Sequence, residues 1–293
     1  MSRTEVETGS AARTVCEIPS IVQSVNWHFT SRCNYRCTFC CKCNLDGDLT
    51  SLEDAGVILQ DLQGLAIDKI NFVGGEPFCH PLIIDLIILA KKMGFTTSVI
   101  TNGSLVTEEK LKRIQNSIDW IGISVDSASE KIEKELGRGN GTHVANSIRV
   151  AGLIRKCGIK LKINTTVTRQ NVNEDLRPLI EKISPDRWKI FQFLHIPGQN
   201  DSTVGKHAIS NDEFNQYKAL NSSIVLSNGT SPVFESSEVM MDSYFMLSPS
   251  GNVIINTRDG TDEIALEKVT LDSLPKILNI DSYISRGALY DWK

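Results

Sequence analysis

The chain has 293 residues, 41% hydrophobic and 23% charged, with 31 Lys and Arg against 35 Asp and Glu for a net charge of −4. These values exclude wholesale disorder, a collagen-like repeat and a small disulfide scaffold. The mild acidity argues against a general nucleic-acid or membrane-surface binder, so no direct nucleic-acid contact is expected, and any anionic ligand must be met by a local basic cluster. Met1–Val15 is polar, carries Glu5 and Glu7 and has no apolar stretch of the kind a secretory signal needs; residues 1–20 are expected to be disordered. The most apolar run, Pro81–Ala90, is broken by Asp85 and is too short to span a bilayer. No membrane helix is expected, and free cysteines suit a reducing, cytoplasmic setting.

Ser24–Thr30 alternates, with Ser24, Asn26, His28 and Thr30 on one face and Val25, Trp27 and Phe29 on the other, which is a strand with one polar face. A cysteine-rich loop follows. Ser51–Gly64 predicts a helix with Ser51 as N-cap. Lys69–Val73 predicts a strand running into Gly74-Gly75-Glu76-Pro77, Pro81–Met93 a helix, Phe95–Ile100 a strand, Glu108–Asn116 a helix and Trp120–Val125 a strand. Gly137–Gly141 is a glycine-rich loop before a helix over His143–Lys156. Lys160–Val167 is a strand with Lys160, Lys162 and Asn164 on one face; Val172–Ile183 is a helix and Trp188–Leu194 the sixth strand.

Such alternation with short connections means βαβ units and a parallel sheet. Six units are too few for a closed eight-stranded barrel, so the expected fold is α/β, a curved, partial six-unit barrel over residues 21–209. Beyond it, Ile196–Ile209 reads as a loop, Asn211–Leu220 as a helix, Ser243–Leu247 with Asn252–Ile255 as a hairpin, and Val269–Ile280 as a helix. Residues 210–293 are expected to form a C-terminal extension that caps the barrel.

Of the eight cysteines, five lie between Cys33 and Cys43, and none follows Cys157. Cys33-x3-Cys37-x2-Cys40 comes just after the first strand. Three thiolates from one short loop can hold three irons of a 4Fe–4S cluster and leave the fourth open to an external ligand. Spacing alone leaves two other readings: zinc, with Cys41 or Cys43 completing four ligands, and a ferredoxin-like run through Cys37, Cys40 and Cys43, which lacks a further Cys because position 47 is Gly47. Cys41 and Cys43 are expected to be neighbouring thiols that bind nothing, and Cys16, Cys79 and Cys157 ordinary residues.

Cys33-x3-Cys37-x2-Cys40, with Gly74-Gly75-Glu76-Pro77 after the second strand, resembles the radical S-adenosylmethionine (SAM) superfamily. More closely, the chain resembles the viperin family. The matching segments are Ser24–Thr30, Cys33–Cys37, Lys69–Phe72, Gly74–Phe78, Asn102–Ser104, Ile123–Ser127, Gly137–Gly139, Lys162–Asn164, Arg187–Gln192, Asp242–Tyr244 and Asp291-Trp292, which span nearly the whole chain from residue 24. The resemblance implies a TIM-like partial barrel holding one 4Fe–4S cluster on Cys33, Cys37 and Cys40. It implies SAM at Gly74, Gly75, Glu76, Pro77, Asn102, Ser124, Asn164 and Tyr35, with glycine apt because backbone must approach the ligand closely.

The implied reaction turns a ribonucleoside triphosphate into its 3′-deoxy-3′,4′-didehydro form, a chain terminator in antiviral or antiphage defence. A 5′-deoxyadenosyl radical would remove the ribose 4′ hydrogen; loss of the 3′ hydroxyl as water, with one electron and one proton added, would leave the alkene. The expected partners are an external one-electron reductant of the flavodoxin or ferredoxin type and, through Trp292, the iron–sulfur assembly machinery. Two segments differ from the animal members: Cys41-Lys42-Cys43, and Asn256-Thr257-Arg258, which has no Cys. The animal members' amphipathic membrane helix has no counterpart. The base is therefore left open among CTP, the first choice, UTP and GTP.

The remaining polar residues fit that substrate. Lys69, Lys162, Arg187 and Lys189 lie on or beside strands, and Lys162 with Asn164, like Arg187 with Lys189, are two apart and share a face. Arg suits bidentate phosphate contacts and Lys acts as a point charge. With Asn26, His28 and Arg258 these form the expected substrate set, and Tyr244 is the expected hydrogen or proton donor at the ribose. The bland alternatives are solvated surface charges, a satisfied core histidine and a packing aromatic. Competing functions are another radical SAM reaction, such as peptide modification, and a non-catalytic iron–sulfur or SAM sensor. The cysteine-free stretch after Cys157 excludes an ordinary Cys-ligated auxiliary cluster there and favours a small substrate.

Overall fold

Six runs of β-branched and aromatic residues, each followed by a helix or loop, become six neighbouring parallel strands in chain order. The computed structural model describes residues 21–41 and 47–289; the expected disordered N-terminus, Cys16, Cys43 and Trp292 fall outside them. The strands are β1 (Ser24–His28), β2 (Lys69–Val73), β3 (Thr96–Thr101), β4 (Trp120–Ser124), β5 (Lys160–Val167) and β6 (Arg187–Gln192). The helices between them are α1 (Leu52–Gly64), α2 (Ile83–Lys92), α3 (Glu108–Ile114), α4 (Glu130–Glu135), α5 (His143–Lys156) and α6 (Arg177–Ile183). Ser51 caps α1 by accepting from the Asp54 backbone N–H. The outward faces of the strands bury Val25, Trp27, Ile70, Phe72, Ile121, Ile163 and Trp188 in one continuous core beneath the helices.

The segment after β6 adds strands to both edges of this sheet. Short helices α7 (Val204–His207) and α8 (Asn211–Asn221) lead to β7 (Val233–Glu235), parallel to β6. After α9 (Ser237–Met240), β8 (Met246–Leu247) pairs parallel with β1, and β9 (Val253–Thr257) and β10 (Gly260–Ile264) follow as antiparallel neighbours. Helices α10 (Leu274–Ile277) and α11 (Ile280–Ser285) finish the described chain. The ten strands run β10-β9-β8-β1-β2-β3-β4-β5-β6-β7, an open sheet with two ends.

Three expected elements differ. The helix expected over Val172–Ile183 starts only at Arg177, because Pro178 is tolerated in the first turn and not in the interior. The helix expected over Val269–Ile280 is two short ones: Pro275 sits in the first turn of α10, and Asn279 caps α11 through Ser282 N–H. The loop expected over Ile196–Ile209 contains α7. Strands β7 and β10 were not expected; β7 has three residues, and the outer strand β10 is polar and exposed.

Register sets which side chains meet on the inner face. Ile100, Gly122, Lys162 and Arg187 are opposite one another across β3 to β6, and Ser124, Asn164, Lys189 and Val233 form the next row across β4 to β7. A glycine in mid-strand marks a close approach. A Cβ at Gly122 would lie 2.6 Å from Ile100 Cδ1 and 3.0 Å from Lys162 Cε, so the empty position is where the Lys162 stem passes.

The cysteine-bearing loop after β1 is seated by backbone on two sides. Gly75 and Glu76 N–H groups donate to the Thr30 and Arg32 carbonyls at 2.8 and 2.6 Å; Arg36 and Thr38 N–H groups donate to Gly137 and Leu136 at 3.4 and 2.9 Å. A Cβ at Gly75 would collide with the Arg32 carbonyl, and one at Gly137 with the Arg36 carbonyl. Two different outcomes are expected from alanine at these glycines. Gly75→Ala must push rigid backbone apart, so the loop loses its seat and reconstituted protein falls well short of wild-type iron and sulfide content. Gly122→Ala displaces only flexible side-chain ends, costs about 1–3 kcal/mol in denaturant unfolding and leaves iron content unchanged.

Candidate active site

The inner face carries two cavities that share strand β1. One is lined by Asn26, Asn71, Lys162, Asn164, Lys189, Phe191, Tyr244 and Arg286, with Ser24, Val73, Ile100, Phe245 and Ala288. The other, nearer the C-terminal ends of the strands, is lined by His28, Thr30, Cys33, Tyr35, Cys37, Cys40, Cys41, Gly74 and Gly75. Asn26 and His28 are two apart on β1, so one period-two face serves both.

The first cavity concentrates positive charge. Lys69, Lys162 and Lys189 are buried, as is Arg286. Burial, reinforced by Lys162, Arg187 and Lys189, holds the Lys69 ammonium well below the usual lysine range. Burial, Lys189 and Arg187 do the same to Lys162. Lys189 is lowered by burial to about 8, although the Glu235 carboxylate opposes that shift. Because β6 starts at Arg187, the Arg187 and Lys189 side chains leave the same face, and Arg187 Nη2 donates to the Gly287 carbonyl at 2.8 Å. Lys69 also lies 5.6 Å from the Trp120 ring centroid.

Tyr244 donates its hydroxyl proton to Glu235 Oε2, and Lys189 pairs with Glu235 Oε1. The Arg286 guanidinium stacks 3.7 Å from the Tyr244 ring centroid and donates through Nε and Nη2 to the Ser243 carbonyl at 3.2 and 3.0 Å. Burial and the Glu235 charge raise the Tyr244 phenol well above its usual range, so it keeps its proton. Asn71 Nδ2 donates to Asn26 Oδ1 at 3.0 Å. Asn71 Oδ1 and Asn164 Oδ1 are buried acceptors with no donor, which suits a ligand bearing hydroxyl or amino groups.

The second cavity tests the expected cofactors. Cys33, Cys37 and Cys40 stand on one wall and none is in a disulfide. Burial pushes the Cys37 thiol up to about 12, with Arg138 opposing it. Among the described residues no three His, Cys, Asp or Glu side chains form a group that could hold a metal ion. A 4Fe–4S cluster asks for something looser, since each thiolate binds a different iron. Three thiols of one loop facing one cavity therefore fit a cluster with an open iron. Ser124, the last residue of β4, pairs with mid-strand Asn164 of β5, and His143 Nε2 donates to the Ser124 carbonyl at 2.8 Å. Burial holds His143 near 4 and His28 near 4, so both rings are neutral.

The surroundings of the other expected site residues are as follows. Gly74 and Gly75 line the cavity, and their missing side chains make room for the Thr30 and Arg32 backbone. The Glu76 carboxylate faces away into the fold: it accepts from Thr101 Oγ1 at 2.6 Å, Asn102 N–H at 2.7 Å and Phe78 N–H at 3.1 Å. Pro77 opens a one-turn 3-10 helix. Asn102 braces the cysteine loop through Asn34 Oδ1 at 2.9 Å. Tyr35 packs against His143, ring centroids 5.7 Å apart. His28 stands with the thiols and not with the lysines. Arg258 is exposed beside the β9–β10 turn and lines a separate surface pocket with His195, Ser237 and Glu238. Cys41 Sγ accepts from Asn200 Nδ2 at 3.4 Å and lies 3.2 Å from the Leu194 carbonyl.

Sequence reasoning missed five residues. Asn71 was within reach, two positions after Lys69 on the same strand, and mid-strand Gly122 was a legible signal. Arg138, inside the Gly137–Gly139 segment, is buried against Asp126 with Glu133 at 4.0 Å, and its guanidinium lies 5.3 Å from the Phe39 ring of the cysteine loop. Glu235 and Arg286 had no local signal, because only the fold brings them inward.

Residues 27–183 match the radical SAM superfamily. The S-adenosylmethionine-dependent nucleotide dehydratase of the Thermoplasmatales archaeon strain ISO4-H5 is 34% identical over 270 residues, 92% of this chain and 96% of that protein. The protein of the same name from Flammeovirga pacifica is 35% identical over 288 residues, 94% and 97% of the two chains. That of Danio rerio is 31% identical over 285 residues, 92% and 78%. Among solved structures, Streptococcus suis SuiB bound to S-adenosylmethionine superposes with a TM-score of 0.64 at 16% identity, over 91% of this chain and 68% of that one. The anSMEcpe structure with bound AdoMet and a peptide superposes at 0.63 with 17% identity, over 89% and 83%. These last two show a shared fold. With its cysteine loop and inward basic face, the chain belongs to the radical SAM superfamily and, within it, to the viperin family of S-adenosylmethionine-dependent nucleotide dehydratases.

Proposed function

We propose that the protein dehydrates the ribose of a ribonucleoside triphosphate, CTP first and UTP or GTP otherwise, to the 3′-deoxy-3′,4′-didehydro nucleotide, a chain terminator serving antiviral or antiphage defence. The observation that carries this reading is the cation excess at the inner face: buried Lys69, Lys162, Lys189 and Arg286 and half-buried Arg187 act on one another, with Asp119 and Glu235 as carboxylates that act on them. Buried like charges are costly without a counter-charge, and a triphosphate supplies several in one short chain.

Cys33, Cys37 and Cys40 would hold the cluster, and Ser124, Asn164 and the Gly74–Glu76 backbone would hold SAM. Bound there, the two supply a hydrogen-abstracting radical that the protein has no side chain to generate. The chain's own residues do the rest. Lys162, Arg187 and Lys189 seat the phosphates. Asn26 and Asn71 face the sugar, and Val73, Ile100, Phe191 and Phe245 keep water from it. Tyr244 holds a phenol proton at the same wall. Positioning of this kind matters because the reacting carbons must meet at near-contact distance. The electron comes from an external one-electron reductant of the flavodoxin or ferredoxin type.

Anaerobic reconstitution followed by SAM, dithionite and each of the four ribonucleoside triphosphates tests the reading. One nucleotide should raise 5′-deoxyadenosine well above the no-substrate background and yield a product lighter by one water. No stimulation by any of the four would overturn it. Cys37→Ala should lose most bound iron.

The cation cluster also predicts a crossing in pH behaviour. Lys189 releases its proton near 8 when folded and near 10.5 when unfolded. Between those values the unfolded chain binds the extra proton, so stability rises with pH; below about 8 both states are charged and the burial cost is fully present. Ligand-free protein should therefore gain melting temperature from pH 7 to pH 9. Tripolyphosphate needs the ammonium groups, so its stabilisation should be large at pH 7 and shrink by pH 9. Lys189→Met should flatten both trends.

A further inference from the structure

A carboxylate inside an anion site works against the ligand, so Glu235 calls for an explanation that phosphate binding does not supply. Glu235 is fully buried at the end of β7. Register places it opposite Phe191, with Val233 opposite Lys189, so Glu235 and Lys189 share the inward face on a diagonal. Tyr244 arrives from the other side. Between Glu235 and β8 the chain crosses from one edge strand to the neighbour of β1, and Tyr244 sits two residues before β8. The backbone there is pinned: Asp242 adopts a positive φ of 51°, its N–H donates to the Asn256 carbonyl at 3.1 Å, and Asn279 N–H donates to its carbonyl at 2.8 Å. Arg286 holds the next carbonyl, that of Ser243.

We propose that Glu235 is the positioning residue of the nucleotide site: one oxygen holds the Lys189 ammonium and the other the Tyr244 hydroxyl, so one side chain fixes the phenol relative to the cations that seat the phosphates. The inference rests on the nucleotide reading above and goes beyond it. A plain counter-ion for Lys189 would need no second partner. A plain packing role would not put both oxygens on two polar groups that line the same cavity. The Arg286 guanidinium on the Tyr244 ring face leaves the phenol little freedom except the torsion of its O–H, and that torsion is what Glu235 sets.

The test compares wild type, Glu235→Gln, Tyr244→Phe and the double variant. Two readouts are used: calorimetric binding of tripolyphosphate to cluster-free protein, and kcat with KM for the nucleotide on reconstituted enzyme. Removing the negative charge should leave tripolyphosphate affinity equal or several-fold tighter and should not raise KM, while kcat falls at least tenfold. The double variant should be no slower than Tyr244→Phe alone, because both changes remove one device. Wild-type kcat in Glu235→Gln, or losses that multiply in the double variant, would overturn the proposal. Should Glu235→Gln not fold, Glu235→Asp keeps the charge and retracts it; the same fall in kcat at unchanged KM is then expected, and wild-type kcat overturns the proposal. Failure of the underlying reading looks different: wild type itself would then show no nucleotide-stimulated 5′-deoxyadenosine.

Discussion

The interior of this sheet is built around like charges held out of water. Moving an ammonium or guanidinium group into a protein costs several kcal/mol even after relaxation, and Lys69, Lys162, Lys189 and Arg286 are all buried within one inner face. A floppy scaffold would let them escape to solvent. Here the stems are clamped: Lys162 passes over Gly122, Lys69 lies against Trp120, Lys189 is pinned by Glu235, and Arg286 is held by the Ser243 carbonyl and the Tyr244 ring. The apolar belt of Val25, Trp27, Phe72, Ile121, Ile163 and Trp188 on the opposite face of the same strands keeps the sheet from deforming. Stability is thus spent on one side of each strand to hold charge on the other.

That arrangement explains how a protein of net charge −4 can suit a polyanion. Net charge governs solubility and long-range steering, whereas binding depends on the local field in a low-dielectric cleft. Glu53, Asp54, Glu108 and Glu109 occupy the first turns of helices and favour the helix dipoles. The basic residues on strands instead point inward by the period of two.

How much of this the sequence discloses depends on the range of the interaction. Periodicity is local, so the six parallel strands, the polar face of Ser24–His28 and the shared face of Lys162 and Asn164 could be read from neighbouring residues. Proline placement is also local, and treating Pro178 and Pro275 as first-turn residues would have shortened both overlong helices. Glycine roles were half legible. Gly74 and Gly75 marked a close approach, and the Thr30 and Arg32 backbone that comes near them could not be read from the motif. Glu76 was expected at SAM through its place in the motif, and its carboxylate accepts from Phe78, Thr101 and Asn102. Glu235 and Arg286 were out of reach in principle. Neither lies in a patterned element, and Arg286 meets Ser243 across 43 positions.

The open sheet gives those two residues their importance. A closed barrel completes its wall with backbone hydrogen bonds, but here β7 ends one edge and β8 begins the addition to the other, and no ladder joins β7 to β1. Side chains bridge the gap instead. Glu235 on β7 reaches Tyr244 just before β8, and Arg286 from α11 stacks on that ring and grips its neighbour's carbonyl. Arg187, the first residue of β6, adds a second tie by donating to the Gly287 carbonyl just after α11. A wall made of side chains can be replaced residue by residue without disturbing the ladder of the six parallel strands. It follows that Glu235, Tyr244 and Arg286, all from the segment after β6, shape the pocket at the open edges of the sheet, while the strand face from Lys69 to Lys189 sets its charge.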